Sequence, residues 1–278
     1  MQHEPRVRAA AVVGQFYPGS PERLRGDVEA FLTKAAKAEI GAPKAVIAPH
    51  AGYVYSGMAA AAAFTTLRSQ ASGIRRVVLI GPAHYIPFRG LAVPTASVFE
   101  TPLGRMSVAR DAAASLEELD FVVQADAPHL PEHALEVELP FLQVLLPAFE
   151  LVPIVVGEAN PEEVAEALAR VWGGPETLIV VSSDLSHFHE YETARRLDAA
   201  TAAAIERGDW ARLGPNDACG YLAVAGLLIE AGRRGLAARR LMLCSSGDTA
   251  GSRDRVVGYG AWAFDSARDA FDRERATV

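Results

Sequence analysis

The chain has 278 residues, 50% of them hydrophobic and 22% charged, a composition that excludes disordered and fibrous architectures and fits one globular domain. A formal net charge of -7, from 34 acidic against 27 basic residues, argues against a partner gripped through nucleic-acid phosphates. Two cysteines are too few for a disulfide framework, no apolar run approaches the roughly 20 residues of a membrane span, and MQHEPRVRAAAVVGQFYP has no apolar signal stretch, so a soluble cytoplasmic chain is expected.

Short runs rich in Val and Ile alternate with helical stretches from residue 20 onward, the rhythm of an α/β fold with a largely parallel central sheet buried between helices. Ser20-Pro21-Glu22 combines a capping side chain, a proline whose missing N–H costs nothing and a first-turn acid, so a helix is expected from there through Ala38. A strand over Lys44–Ala48 follows, then a helix over Gly57–Arg68 whose small residues Ala59 to Ala63 suit close approach to a sheet. Strands over Arg76–Ile80 and Leu91–Pro94 precede a helix over Asp111–Leu119. A helix over Glu132–Leu146, kinked or divided at Pro140, leads to a strand over Leu151–Val156. The remainder reads as helix Pro161–Trp172, strand Thr177–Val181, helices Tyr191–Arg207 and Asp217–Ala231, and strands Arg240–Leu243 and Val256–Phe264. Neither a linker nor a repeat divides the chain, so a single domain over 1–278 is expected, with a charged, solvated tail after Phe264.

In open α/β sheets, ligands bind beyond the carboxyl ends of the strands, where loops carry polar groups above a dry sheet. The expected strands deliver His50, His84, then Asp184 and His187, and finally Cys244 and Asp248 to that edge, while His133 opens a helix. Two imidazoles with a carboxylate or thiolate suit iron, zinc or copper and leave positions open for substrate, with Asp184, Asp248 and Cys244 as candidates for the third ligand. His133 and Glu136 share a helical face as a candidate acid–base pair, although acids at a helix start explain the glutamates without any function. Cys219, near a helix start, reads as buried packing. His129-Leu130-Pro131-Glu132-His133 matches a zinc-peptidase string, but Pro131 leaves His129 outside the helix that such a site needs. G-x-S-x-G, G-x-x-x-x-G-K-[ST] and a strand-following G-x-G-x-x-G are all missing.

Gly14-Gln15-Phe16-Tyr17-Pro18, Pro49-His50-Ala51-Gly52-Tyr53, Gly81-Pro82-Ala83-His84-Tyr85, Thr101-Pro102-Leu103-Gly104, Glu132-His133 with Leu139-Pro140-Phe141, Ser182-Ser183-Asp184-Leu185-Ser186-His187, Ala218-Cys219-Gly220 and Ser246-Gly247-Asp248 occur in this order. Together they resemble the Memo family, whose bacterial branch is called AmmeMemoRadiSam system protein B. The resemblance implies the α/β sandwich of class III non-haem iron extradiol dioxygenases. It also implies His50 and His84 as metal ligands, His187 as a general base, His133 as a second histidine near substrate and Asp184 as a pocket acid. In the dioxygenases the third ligand is a glutamate and in the animal Memo branch a cysteine. The register here points to Asp248, with Cys244 as the alternative. Asp248 would favour iron(II), Cys244 copper.

The leading expectation is a metal-dependent redox enzyme acting on a small oxidisable substrate, with iron(II) first and copper or zinc next. Tyr53, Tyr55 and Tyr85 are candidates for an aromatic substrate pocket. The alternatives are a module that binds a peptide or protein, association with radical-SAM system proteins being implied by the family name, and a copper-sequestering protein.

Overall fold

A computed structural model describes residues 5–36 and 41–266. In chain order the first half contains β1 (Val7–Arg8), α1 (Pro21–Lys34), β2 (Ala45–Ala48), α2 (Tyr53–Thr65), β3 (Arg76–Pro82), β4 (Leu91–Val93), β5 (Val98–Thr101), β6 (Gly104–Ser107), α3 (Arg110–Glu117) and β7 (Val122–Gln124). The second half contains α4 (Leu139–Leu145), β8 (Glu150–Val156), α5 (Pro161–Arg170), β9 (Thr177–Ser182), β10 (His187–His189), α6 (Tyr191–Arg207), α7 (Tyr221–Arg233), β11 (Leu236–Ser245) and β12 (Val256–Ser266).

The mixed α/β sandwich implied by the sequence is present. Its centre is the parallel array β2-β9-β3-β8. Beyond β2 lies β12, antiparallel to it, which pairs in turn with β11 and β10; beyond β8 lie β4, antiparallel to it, and β7. A small second sheet joins β1, β5 and β6. Successive side chains of a strand point to opposite faces. Val46 and Ala48 therefore enter one core with α1, α2 and α4, whereas Ala45 and Ile47 enter the other with α3, α5, α6 and α7. Both faces are covered, which is why these strands read as continuous apolar runs.

Ser20 caps α1 by accepting from the Arg23 N–H, and α1 ends at Lys34, earlier than expected; Lys37 and Ala38 lie outside the described residues. Helix α2 begins at Tyr53, four residues before the expected start, because the Gly52 carbonyl already accepts from Ser56 N. Its alanines from Ala59 to Ala63 are all buried, and a Cβ on Gly57 would come within 2.8 Å of the Phe31 ring, so the glycine sets how closely α1 and α2 pack. The continuous helix expected over Glu132–Leu146 is absent: a 3-10 turn over Glu136–Glu138 precedes α4, and Pro140 sits in α4's first turn, where its missing N–H leaves no bond unmade. The final hairpin is longer and more antiparallel than the sequence suggested, since β11 and β12 pair from Leu236↔Ser266 to Ser245↔Gly258. Strand β12 thus runs two residues past Phe264, and the rest of the expected tail lies outside the described residues. No helix among the described residues is long and apolar enough to cross a membrane.

Candidate metal centre at the carboxyl edge of the sheet

The parallel strands all point their carboxyl ends to one edge. There β2 is followed by His50, β3 by His84 and β9 by Asp184. The loop before α4 adds His133. Ring centroids lie 5.2 Å apart for His50 and His84, 5.3 Å for His50 and His133, and 4.7 Å for His84 and His133. One ring nitrogen from each falls within 4.8 Å of the others, close enough to hold one metal ion. His50 is fully buried and His133 mostly so, while 27% of the His84 side chain reaches solvent and gives the cluster an open side.

The Nδ1 nitrogen of each ring is engaged. His50 Nδ1 lies 2.7 Å from Ser182 Oγ, His84 Nδ1 lies 2.8 Å from Glu132 Oε1, and His133 Nδ1 lies 3.2 Å from Tyr85 OH. Outer partners of this kind fix an imidazole's orientation and leave Nε2 to face a metal. Glu132 also accepts the backbone N–H groups of His84 and Ala134, and Asp184 Oδ1 accepts the His50 N–H at 2.9 Å, so both the rings and their backbones are held.

Cys219 faces this cluster, with Sγ 3.3 Å from His50 Nε2. Its N–H donates to the Asp184 carbonyl, and Gly220 N donates to Ser183 Oγ. A Cβ on Gly220 would lie 2.8 Å from Ser182 O, so only glycine lets the loop before α7 press against the end of β9 and bring the thiol in. This same loop delays α7 to Tyr221 instead of the expected Asp217.

Asp248 stands elsewhere. It lies in the 3-10 turn after β11, a strand separated from β2 by β12, and its carboxylate accepts from Ser245 N, Ser245 Oγ and Tyr191 OH in a local cap. Cys244 lies with Asp248 in a separate cavity lined also by Arg195 and Asp198. Tyr53, a candidate pocket residue, is instead in the core: 4% exposed, it donates to Val137 O and packs against Phe141. Tyr55 and Tyr85 are exposed, the latter touching His133. Glu136, expected to share a helical face with His133, turns away to Arg8, Tyr17 and the N–H groups of Ala11 and Val12. The His129 to His133 string is non-helical, and His129 is buried with Nε2 against Ala92 O. His187 lies in β10 beside Phe188, whose φ of 61° is the only positive value at a non-glycine position among the described residues and accompanies a break in the β10–β12 register.

Burial, together with the neighbouring imidazoles, pushes the pKa of His50 well below the ordinary histidine value. Burial also lowers His133 to about 4 and depresses His187. The three are therefore neutral at pH 7, the form that binds metals. Asp184 is pushed up to about 7 by burial, against the opposing pull of the His50 N–H, and burial raises the Cys219 thiol as well. Burial works against ionisation of Glu132, but the hydrogen bond and charge of His84 outweigh it and hold the carboxyl below its ordinary value.

Three partners escaped the sequence reading: Cys219, Glu132 and Ser182. All three lie in blocks that carried the family resemblance, which was the signal available for them. Beside Cys219 opens a cavity of about 380 Å³ lined by Pro82, Phe88, Val156, Tyr221 and Leu222, among others.

A family model described as Memo-like protein matches residues 8–263. A MEMO1 family protein of Nitrosopumilus maritimus is 30% identical over 93% of this chain and 99% of its own length. One from Aquifex aeolicus is 34% identical over 91% of this chain and 97% of its own, and one from Aeropyrum pernix is 34% identical over 92% and 99%.

Proposed function

The chain belongs to the Memo-like family, and from that premise we propose that it is a metal-dependent redox enzyme holding iron(II) or copper at His50, His84 and His133, with the Cys219 thiol as the sulfur donor. The observation that carries the reading is the convergence of three imidazoles whose Nδ1 atoms are all engaged. The donor set fits such a metal: neutral imidazoles suit iron, copper and zinc, and a thiol adds softness that favours copper. Cys219 takes the place that the sequence assigned to Asp248 or Cys244.

A metal bound here supplies a Lewis-acidic, redox-active centre for a hydroxylated substrate. The chain's own groups do the rest. Asp184 holds the His50 backbone in position, and Glu132 does so for His84. His187, which burial keeps neutral, is the general base of this reading and would take the substrate's proton. Tyr85, exposed and in contact with His133, lines the open side. Because the Cys219 sulfur lies against His50, a second reading is retention of Cu(I) without turnover.

The test is metal content after tagless, anaerobic purification. About one iron or copper per chain is expected, lost in His50→Ala, reduced in Cys219→Ala and retained in Asp248→Ala. Calorimetry in buffers of different ionisation enthalpy should show about one proton released as the Cys219 thiol binds, and none from this source in Cys219→Ala. Absence of metal after reconstitution refutes the proposal. Tight Cu(I) binding with no turnover of any reductant favours the second reading.

A further inference from the structure

Behind His50 lies a buried carboxyl group that the mechanism above does not use. Glu138 is 0% exposed; Oε1 lies 2.9 Å from Ser182 Oγ, and Oε2 has no hydrogen-bond partner. Ser182 Oγ is also 2.6 Å from the Ala134 carbonyl oxygen and 2.7 Å from His50 Nδ1. Three groups therefore converge on one hydroxyl, which owns a single proton and two lone pairs.

The proton count has one consistent solution. A carbonyl oxygen only accepts, so the Ser182 proton goes to Ala134 O, the shortest of the three contacts. The two lone pairs of Oγ must then accept, one from His50 Nδ1–H and one from a hydroxyl on Glu138 Oε1. An ionised Glu138 would set a second acceptor against a hydroxyl with no proton left to give, and would bury a charged Oε2 facing nothing.

We propose that Glu138 is a neutral carboxylic acid that donates to Ser182 and so leaves the Ser182 proton to the Ala134 carbonyl, and that Ser182 in turn accepts from His50 Nδ1–H, which holds His50 in the Nδ1-protonated tautomer with the Nε2 lone pair facing Cys219. It rests on the reading of His50 as a metal ligand only for its use. The proton arrangement itself is a property of the metal-free chain. Burial, reinforced by the nearby charge of Asp184, raises Glu138 well above the ordinary glutamate value, in keeping with the neutral form. The arrangement removes a choice that an isolated imidazole has: with Nδ1 free to lose its proton, the proton can move to Nε2 and block the metal-binding nitrogen.

The test uses the full chain without metal. At about pH 8, above the value of about 7 for Asp184, infrared difference spectra of wild type minus Glu138→Gln should contain the carbonyl stretch of a protonated carboxylic acid. Nitrogen-15 NMR of labelled histidine should report Nδ1-protonated His50 in wild type and in Glu138→Gln, whose amide N–H still donates to Ser182. In Ser182→Ala, which takes away the acceptor of His50 Nδ1–H, the Nε2-protonated form should appear and the affinity for Zn(II) should fall by about tenfold. Absence of the acid band, or a wild-type His50 carrying its proton on Nε2, overturns the inference even if Ser182→Ala fails to fold. A chain showing the band and the tautomer but binding no Zn(II) refutes the metal reading and leaves the proton arrangement standing.

Discussion

Replacing Arg8 with methionine tests how the first strand supports the metal centre. Arg8 is 2% exposed and Glu136 is 0% exposed, and the two form a buried ion pair. The guanidinium also donates Nε to His129 O at 3.0 Å and Nη2 to Glu132 O, so one side chain ties β1 to the loop that carries Glu132 and His133. Methionine fills much of the volume and restores none of these bonds. Glu136 would keep the Ala11 and Val12 N–H groups and Tyr17 OH but lose its counter-charge in a dry site. Removing one partner of such a pair costs about 3–5 kcal/mol, and the two stranded carbonyls push the cost toward the upper end. Against a net stability of about 5–15 kcal/mol this is a large fraction. In urea unfolding the midpoint should fall by about 1 M or more, with the slope unchanged. The double variant Arg8→Met/Glu136→Leu should lose less than the sum of the two single variants, because it removes both charges together. A loss below about 1 kcal/mol in Arg8→Met, or strict additivity in the double variant, would refute the account of this pair as a desolvated, coupled clamp.

The remaining predictions follow from single contacts. Glu132→Gln weakens the acceptor behind His84 and sets an amide NH2 against a buried N–H, so it should lower Zn(II) affinity by about 10- to 100-fold and stability by about 1–3 kcal/mol; unchanged affinity would remove Glu132 from the site's support. In Gly220→Ala a methyl must fit 2.8 Å from Ser182 O, so the Cys219 loop should be pushed off β9 at a cost of about 1–3 kcal/mol, with weaker metal binding and the histidine cluster intact. His129 is 2% exposed, and burial lowers it to about 4, whereas the unfolded chain takes up the proton near 6.5. Between those values the unfolded state binds more protons, so the contribution of His129 to stability, up to about 3 kcal/mol, is present above pH 6.5 and lost as pH falls toward 4. A urea midpoint for His129→Gln that keeps the wild-type pH slope in this window would contradict that assignment.

Much of the centre was legible because its signal is local. A Val/Ile-rich run that ends in Pro49-His50, in Gly81-Pro82-Ala83-His84 or in Ser182-Ser183-Asp184 announces both a buried strand and the polar group at its end, and parallel strands in one sheet share an edge. Short strands were missed where the sequence has no run to read. His187-Phe188-His189 pairs with β12 only through a broken register, and Val7–Arg8 is a strand because Val98 and Phe99 lie beside it.

Sequence by itself determined the α/β class, the family and the delivery of His50, His84 and Asp184 to one edge, since apolar periodicity and strand-end polarity are properties of neighbouring residues. The tertiary structure decided which distant groups meet them. Asp248 and Cys219 both precede or follow regular elements in the last third of the chain, and nothing in their immediate neighbours ranks one above the other. Strand order and packing distinguish them: β12 stands between β2 and β11, the strand that Asp248 follows, while Gly220, lacking a Cβ, fits against Ser182 O and carries Cys219 to within 3.3 Å of a histidine 169 positions earlier. Contacts of that separation are fixed by packing between elements, which local propensity does not encode.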